Sequence, residues 1–341
     1  MLDRDATMVI LGAGSYGTAL AVTLARYQHP IVLWGHQPNH MATLQRQRCN
    51  ERYLPGIPFP ESLRIEADLA KALASGRDKL LAVPSAVFGL LLQQLVPYWH
   101  ASYRLAWVTK GLEVESGRLL QEVIRDNLGT QVPMAALAGP SFARELAAGL
   151  PTAFTLAASA AAFDQAFADD LQRLLQSNPS LRIFRSQDLI SIQLGGGIKN
   201  VVAIAAGISD GIGYGMNARA ALITCGLAEM TRLGVALGSC AHSFVDMATL
   251  GDMVLTCTDD QSRNRRFGKL LGQGKSIEDA QKEIGQVVEG FGNTKEVYLL
   301  ARQHRVAMPI TEQLYGVLYQ GTEIHAATAK LLGQRIESGN Q

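Results

Sequence analysis

Gly12, Gly14 and Gly17 stand in the spacing G-x-G-x-x-G. Each glycine meets a separate demand: a tight turn, close approach of backbone to a pyrophosphate, and close packing of helix on strand. The pyrophosphate of a dinucleotide would then rest on the N–H groups that open the next helix. Far downstream, Lys199 and Asn200 interrupt an apolar run from Ser191 to Gly207. A lysine in such a run needs a partner or a task. The competing reading is a stem along apolar surface with its head in water. Gly195, Gly196 and Gly197 precede it. Each helical glycine costs about 0.5–1 kcal/mol relative to alanine, so the run implies close approach of a nicotinamide ring or another segment. Asp252 and Thr256 lie four apart, on one face of a helix if that segment is helical. The run Gln261-Ser262-Arg263-Asn264-Arg265-Arg266 offers forked and neutral donors suited to a small anion. For Arg265 and Arg266 the competing reading is a solvated helix face. Val287-Val288-Glu289-Gly290 opens a late helix and supplies a carboxylate.

These groups need elements to position them. Met8–Leu11 reads as a short buried strand, followed by the glycine loop and an apolar helix through Leu24. Ile31–Trp34 is a second strand, with His36 at its exit. No Asp or Glu occurs between Gly17 and Glu51, whereas a carboxylate at that exit binds adenine-ribose hydroxyls in many such folds. Its absence removes a source of repulsion toward a 2′-phosphate, so NADP is expected to be accepted. Tyr53–Pro60 is rich in proline and reads as a loop. Strands ending near Pro84, Thr109 and Gly139 deliver Ser85, Lys110 and Ser141, and Pro140 and Ser141 suit a helix start. In an open parallel sheet those exits share one edge, where ligands bind. Further strands are expected at Phe154–Ala157 and Leu181–Phe184, with a helix at Ala161–Leu175 between them. Helical periodicity takes over after Asp188, at Ala218–Leu237, Phe267–Leu271, Val287–Gln303 and Ile310–Tyr319. The expected division is therefore 1–188 and 189–341.

Composition narrows the function classes. The 341 residues carry a formal net charge of +1, which argues against a dedicated nucleic-acid surface. The N-terminal Met-Leu-Asp-Arg-Asp is too acidic for a signal peptide, and no apolar run reaches the length of a membrane span. The four cysteines form no C-x-x-C pair, and no metal is expected. A reduced, cytoplasmic enzyme fits these features.

Taken together, GAGSYGTA, Val83-Pro-Ser85, Thr109-Lys-Gly111, Gly139-Pro-Ser-Phe-Ala143, Lys199–Gly207, Gly251-Asp252, Ser262-Arg-Asn264 and Val288-Glu-Gly290 occur in the order seen in bacterial NAD(P)-dependent glycerol-3-phosphate dehydrogenases. The chain resembles that family over nearly its whole length. The resemblance implies an α/β fold: a Rossmann-like N-terminal domain followed by an all-helical C-terminal domain. It implies reversible reduction of dihydroxyacetone phosphate to sn-glycerol 3-phosphate, a precursor of phospholipids. NADP(H) or NAD(H) would be the cofactor and a homodimer the assembly, with neither nucleic acid nor membrane insertion. It makes Lys199 the catalytic acid and base. Lys110, Gly139, Ser141, Lys199, Asp252, Ser262, Arg263 and Asn264 would contact substrate. Gly12, Gly14, Ser15, Tyr16, Gly17, His36, Lys110, Ala143, Arg263, Val287 and Glu289 would contact the cofactor. Many relatives carry Arg near the position of His36.

Two other readings compete. One is another lysine-dependent reductase of the same plan, acting on a β-hydroxy acid or ketopantoate through a carboxylate pocket. The other is an NAD(P)-sensing module without catalysis.

Overall fold

The computed structural model describes residues 7–114 and 116–333, so the ends of the expected 1–188 and 189–341 division, including the acidic N-terminus, lie outside the described residues. The chain separates into two compact units. Unit 1 takes the chain to Glu113, Arg118–Gln193 and Asp246–Ala248; unit 2 takes Val114–Gly117, Leu194–Val245 and the chain from Thr249 onward.

Unit 1 is built on an eight-stranded sheet. Its strands are β1 (Met8–Leu11), β2 (Ile31–Trp34), β5 (Leu63–Glu66), β6 (Asp78–Leu81), β7 (Arg104–Trp107), β8 (Met134–Ala138), β9 (Thr152–Ala157) and β10 (Leu181–Ser186), and β3 (Cys49–Asn50) with β4 (Leu54–Pro58) forms a separate ribbon. The order across the sheet is β10-β9-β8-β7-β6-β1-β2-β5. From β5 to β8 all pairs are parallel, so the exits after β1, β2, β6, β7 and β8 do share one edge. The sheet is not wholly parallel: β9 runs antiparallel to β8, and β10 runs parallel to β9.

The residues of β1 show why both faces must be covered. Met8 and Ile10 join one buried cluster with Leu20, Leu33 and Phe167, while Val9 and Leu11 join another with Val32, Phe88 and Trp107. The period of two sends alternate side chains to opposite faces. Helices cover them: α1 (Ser15–Ala25), α2 (Pro38–Gln47), α3 (Leu69–Ala74), α4 (Ser85–Leu95), α5 (Leu120–Leu128), α6 (Ala143–Ala148) and α7 (Ala162–Gln176). The helix after Gly139 begins at Ala143, leaving Pro140 and Ser141 in the loop ahead of it. The proline-rich segment expected as a loop contains β4. A two-stranded ribbon tolerates Pro55 and Pro58 because it pairs on one side only.

Among the described residues unit 2 contains no strand. The long helix α8 (Leu189–Ile212) starts in unit 1 and runs through unit 2. It is long and apolar enough to cross a membrane, but 89% of its most apolar window is buried within the protein. Around it lie α9 (Met216–Ala236), α10 (Asp252–Thr258), α11 (Arg263–Gly272), α12 (Ile277–Ile284), α13 (Glu289–Gln303), α14 (Pro309–Tyr319) and α15 (Ile324–Gly333). Gly195–Gly197 are buried in α8, and close backbone approaches are found further along the same helix. A Cβ on Gly207 would lie 2.1 Å from the Arg265 carbonyl oxygen, and one on Gly268 would lie 2.1 Å from that of Ile204. Gly211 and Gly272 repeat the contact one turn on. Only glycine lets α8 and α11 touch backbone to backbone here. Glu229 on α9 accepts the N–H groups of Ile310 and Thr311 at the start of α14, and burial pushes its carboxyl up to about 7.

Lys79 is fully buried in β6, donating to the Gly76 carbonyl and lying 3.6 Å from the centroid of the Tyr103 ring. Burial lowers its ammonium to about 7, partly opposed by Asp78. The unfolded chain therefore binds the extra proton between about pH 7 and the free-lysine value near 10.4. Burying this amine costs more stability as pH falls through that window. Lys79→Met should gain on the parent by up to about 1.4 kcal/mol per pH unit between pH 9 and 7. Urea unfolding at both pH values measures this; a pH-independent difference would contradict it.

Candidate active site

In unit 1 the glycine loop has the geometry its spacing requires. Gly12 has a φ of +128°, and a Cβ there would lie 2.4 Å from the Ala82 carbonyl oxygen. A Cβ on Gly17 would lie 1.9 Å from the Gly12 oxygen, whereas one on Gly14 would meet nothing within 4 Å. Two glycines are thus imposed by packing, and the middle one borders open space. No side chain caps the start of α1, so its first N–H groups face that space. This cradle fits a dinucleotide pyrophosphate.

Beside the loop, the Tyr16 hydroxyl lies 2.5 Å from Ser141 Oγ, which donates to the Gly139 carbonyl at 3.0 Å. Lys110 Nζ lies 5.9 Å from the centroid of the Tyr16 ring. The exits of β1, β7 and β8 thereby bring Tyr16, Lys110, Gly139 and Ser141 into one cluster. Gly139 is required there, because a Cβ would lie 2.4 Å from the Ala153 oxygen. Ala143 is the first residue of α6, Ser85 begins α4, and His36 is exposed after β2.

In unit 2, Lys199 is 4% exposed and Asp252 1%. Lys199 Nζ donates to Asp252 Oδ1 at 2.7 Å and to Thr256 Oγ1 at 3.0 Å. Thr256 in turn donates to the Asp252 carbonyl at 2.6 Å. The four-residue spacing of Asp252 and Thr256 places both on the lysine, as α10 is helical. A π-helical turn, Met247–Gly251, leads directly into Asp252. Such turns recur at functional sites because they re-aim the side chains that follow.

A second polar line lies behind this pair. Asn264 donates to Asn200 Oδ1 at 2.8 Å and accepts the Gly290 N–H at 2.9 Å. Asn200 donates to Asn293 Oδ1 at 3.0 Å, and Asn293 donates to Glu296 at 3.0 Å. The residue beside Lys199 is thereby joined to those beside Arg263 and Glu289. Ser262 caps α11 by accepting the Arg265 N–H, and Arg263 is the first residue of that helix. Arg263 is half-buried, with Nη1 3.4 Å from Gln286 Oε1. The helix start and the guanidinium together favour an anion. Val287 is exposed and Glu289 begins α13.

The basic run divides by partner. Arg265 is neither an anion donor nor solvated: it is buried and paired with Asp210 at 2.7 Å and with Asp260. Arg266 is exposed. Sequence reading missed Asn293, which is buried with Thr294 and Glu296 in α13.

Comparisons with known proteins agree with this geometry. The N-terminal model of NAD-dependent glycerol-3-phosphate dehydrogenase matches residues 7–164, and the C-terminal model matches residues 188–329. The chain is 59% identical to glycerol-3-phosphate dehydrogenase [NAD(P)+] of Escherichia coli over 98% of its length and 97% of that protein's. It is similar to the crystal structure of glycerol-3-phosphate dehydrogenase from Coxiella burnetii, with 44% identity and a TM-score of 0.93 over 97% of this chain and 100% of that one. A 2-dehydropantoate 2-reductase structure from Enterococcus faecalis shares the fold alone, at 13% identity and a TM-score of 0.54 over 96% of this chain and 100% of that one.

Removing one partner of a buried charge pair leaves the other uncompensated, at a cost of about 3–5 kcal/mol. Asp252→Ala should destabilise by that order, and Thr256→Val by about 1 kcal/mol. Urea unfolding at pH 7 measures both. Near-parental stability of Asp252→Ala would mean that Lys199 reaches water.

Proposed function

We infer the working of this site from the premise that the chain belongs to the NAD-dependent glycerol-3-phosphate dehydrogenase family. It is an NAD(P)-dependent oxidoreductase that reduces dihydroxyacetone phosphate to sn-glycerol 3-phosphate, reversibly. Neither the β-hydroxy-acid or ketopantoate reading nor the non-catalytic sensing reading is favoured.

One observation carries the assignment of roles: Lys199 is a buried cation held by Asp252 and Thr256. The cofactor, when bound in the glycine cradle of unit 1, supplies the hydride. Lys199 Nζ polarises the substrate carbonyl and gives a proton to the oxygen as negative charge develops there. In glycerol 3-phosphate oxidation the neutral amine takes the hydroxyl proton back. Asp252 and Thr256 orient the ammonium. Arg263, Ser262, Asn264 and the start of α11 hold the phosphate of the substrate. Lys110, Gly139 and Ser141 complete the substrate contacts. Gly12, Gly14, Ser15, Tyr16, Gly17, His36, Lys110, Ala143, Arg263, Val287 and Glu289 serve the cofactor. Residues 1–188 supply the glycine cradle for the dinucleotide, and residues 189–341 supply Lys199 and the phosphate seat of the substrate. A homodimer in the cytoplasm is part of the same reading, supported by the family resemblance.

Oxidation of NADPH by the purified protein with dihydroxyacetone phosphate tests the reaction itself. Arg263→Ala tests the phosphate seat. Loss of a desolvated charge partner costs about 2–5 kcal/mol, or roughly 30- to 5,000-fold in kcat/KM for dihydroxyacetone phosphate. Turnover of unphosphorylated dihydroxyacetone should scarcely change, once cofactor saturation is checked by titration. Equal losses on both substrates would contradict the assignment.

A further inference from the structure

The exit of β2 and the β3–β4 ribbon gather basic side chains on unit 1. Gly35 turns the chain close to the glycine loop; a Cβ there would lie 2.6 Å from Met41 Sδ and 2.9 Å from the Ala13 Cβ. His36 follows at the turn, and His40 sits in the first turn of α2. From the other side, Asn50 Nδ2 ties the ribbon to the loop, donating to the Ala13 oxygen at 3.1 Å and to Thr18 Oγ1 at 2.8 Å. The Ser15 hydroxyl donates to the Tyr53 carbonyl at 2.8 Å. These bonds fix Tyr53, whose ring meets His40 edge-to-face with centroids 5.4 Å apart. The Arg52 guanidinium lies over the same ring, 5.0 Å from its centroid. Arg52 and His36 are exposed, and His40 is half-buried.

The electrostatics of this cluster are one-sided. His40 is held below the usual histidine range, first by burial and then by repulsion from Arg52 and His36; only a backbone hydrogen bond at Ala13 opposes this. No carboxylate contributes. The sequence has no Asp or Glu from Thr18 to Asn50, and Glu51 directs Oε1 to the Gly56 N–H at 3.3 Å. A guanidinium and two imidazoles held together favour an anion that joins them.

We propose that Arg52, with His36 and His40, forms the seat of the 2′-phosphate of NADP(H), and that Arg52 is the residue that distinguishes NADPH from NADH. This rests on the dehydrogenase reading of the glycine loop, since the adenine ribose lies beyond the end of β2 in this fold. The guanidinium fork matches phosphate geometry and keeps its charge at every working pH. Stacking on Tyr53 limits the rotamer freedom lost on binding.

The experiment titrates the parent, Arg52→Met and Arg52→Lys with NADPH and NADH by cofactor fluorescence, and with 2′-AMP and 5′-AMP by calorimetry. Arg52→Met should weaken NADPH and 2′-AMP by at least about tenfold, and NADH and 5′-AMP less than twofold. Arg52→Lys should recover part of the loss. The exposed position predicts unchanged thermal unfolding, which separates binding from folding. Equal weakening within each pair, or none, overturns the proposal. Selective 2′-AMP binding by a parent protein that fails to reduce dihydroxyacetone phosphate would refute the reaction and keep this seat. Turnover with an Arg52→Met variant that keeps full NADPH selectivity would do the reverse.

Discussion

Two charges taken out of water dominate the helical unit. Lys199 and Asp252 are both buried, 2.7 Å apart. A buried pair is a poor source of stability, because desolvating both ions offsets most of their attraction. An apolar pair of the same volume would hold the helices together as well or better. What the ion pair provides is an ammonium with fixed position and direction, and that is what a carbonyl reduction demands. The surroundings are arranged to keep it so. The π-helical turn before α10 sets Asp252, and Thr256 closes the arrangement from the same face. Backbone contact of α8 with α11 fixes the helix that carries Lys199 against the one that begins at Arg263. The amide line through Asn200, Asn264 and Asn293 ties α13 to both.

Unit 1 solves a different problem. A parallel sheet gathers its strand exits on one edge, so residues far apart in sequence become neighbours without a dedicated loop. Tyr16, Lys110 and Ser141 meet in this way although they come from three separate exits. The same logic places a cationic group at the end of β2. There the sequence omits acid and the β3–β4 ribbon adds Arg52.

Much of this was readable from residue order. Buried strands such as Met8–Leu11 and Ile31–Trp34 are continuous apolar runs with turn residues at both ends, so their bounds were recovered directly. Lys199 stood out because a cation in an apolar helix is costly, and Asp252 and Thr256 because their spacing matches a helical turn. Other features depend on tertiary context that local pattern does not carry. The ribbon at Leu54–Pro58 violates strand propensity with two prolines and a glycine, and exists because Asn50 anchors it to the glycine loop. Arg265 looked like part of an anion site, yet its fate was decided by Asp210, 55 residues away in sequence. The reversal at β9 has no local signature, because strand direction is set by how the chain crosses the sheet. Gly207 and Gly268 carry no local signature of the backbones they pack against.

The central claim is that Lys199 moves the proton. Single-turnover hydride transfer from NADPH to dihydroxyacetone phosphate, followed across pH for the parent and for Lys199→Met, tests it most directly. General acid–base assistance is worth about 10²–10⁴-fold, and the variant also loses the charge that orients the carbonyl. The account predicts a loss of at least that size with NADPH binding retained. In the parent, reduction should slow as pH rises through the pKa of Lys199, and oxidation of glycerol 3-phosphate should quicken over the same range; both limbs should vanish in the variant. A Lys199→Met protein that transfers hydride at near-parental rate with the same pH limbs would contradict the account and make Lys199 a packing residue.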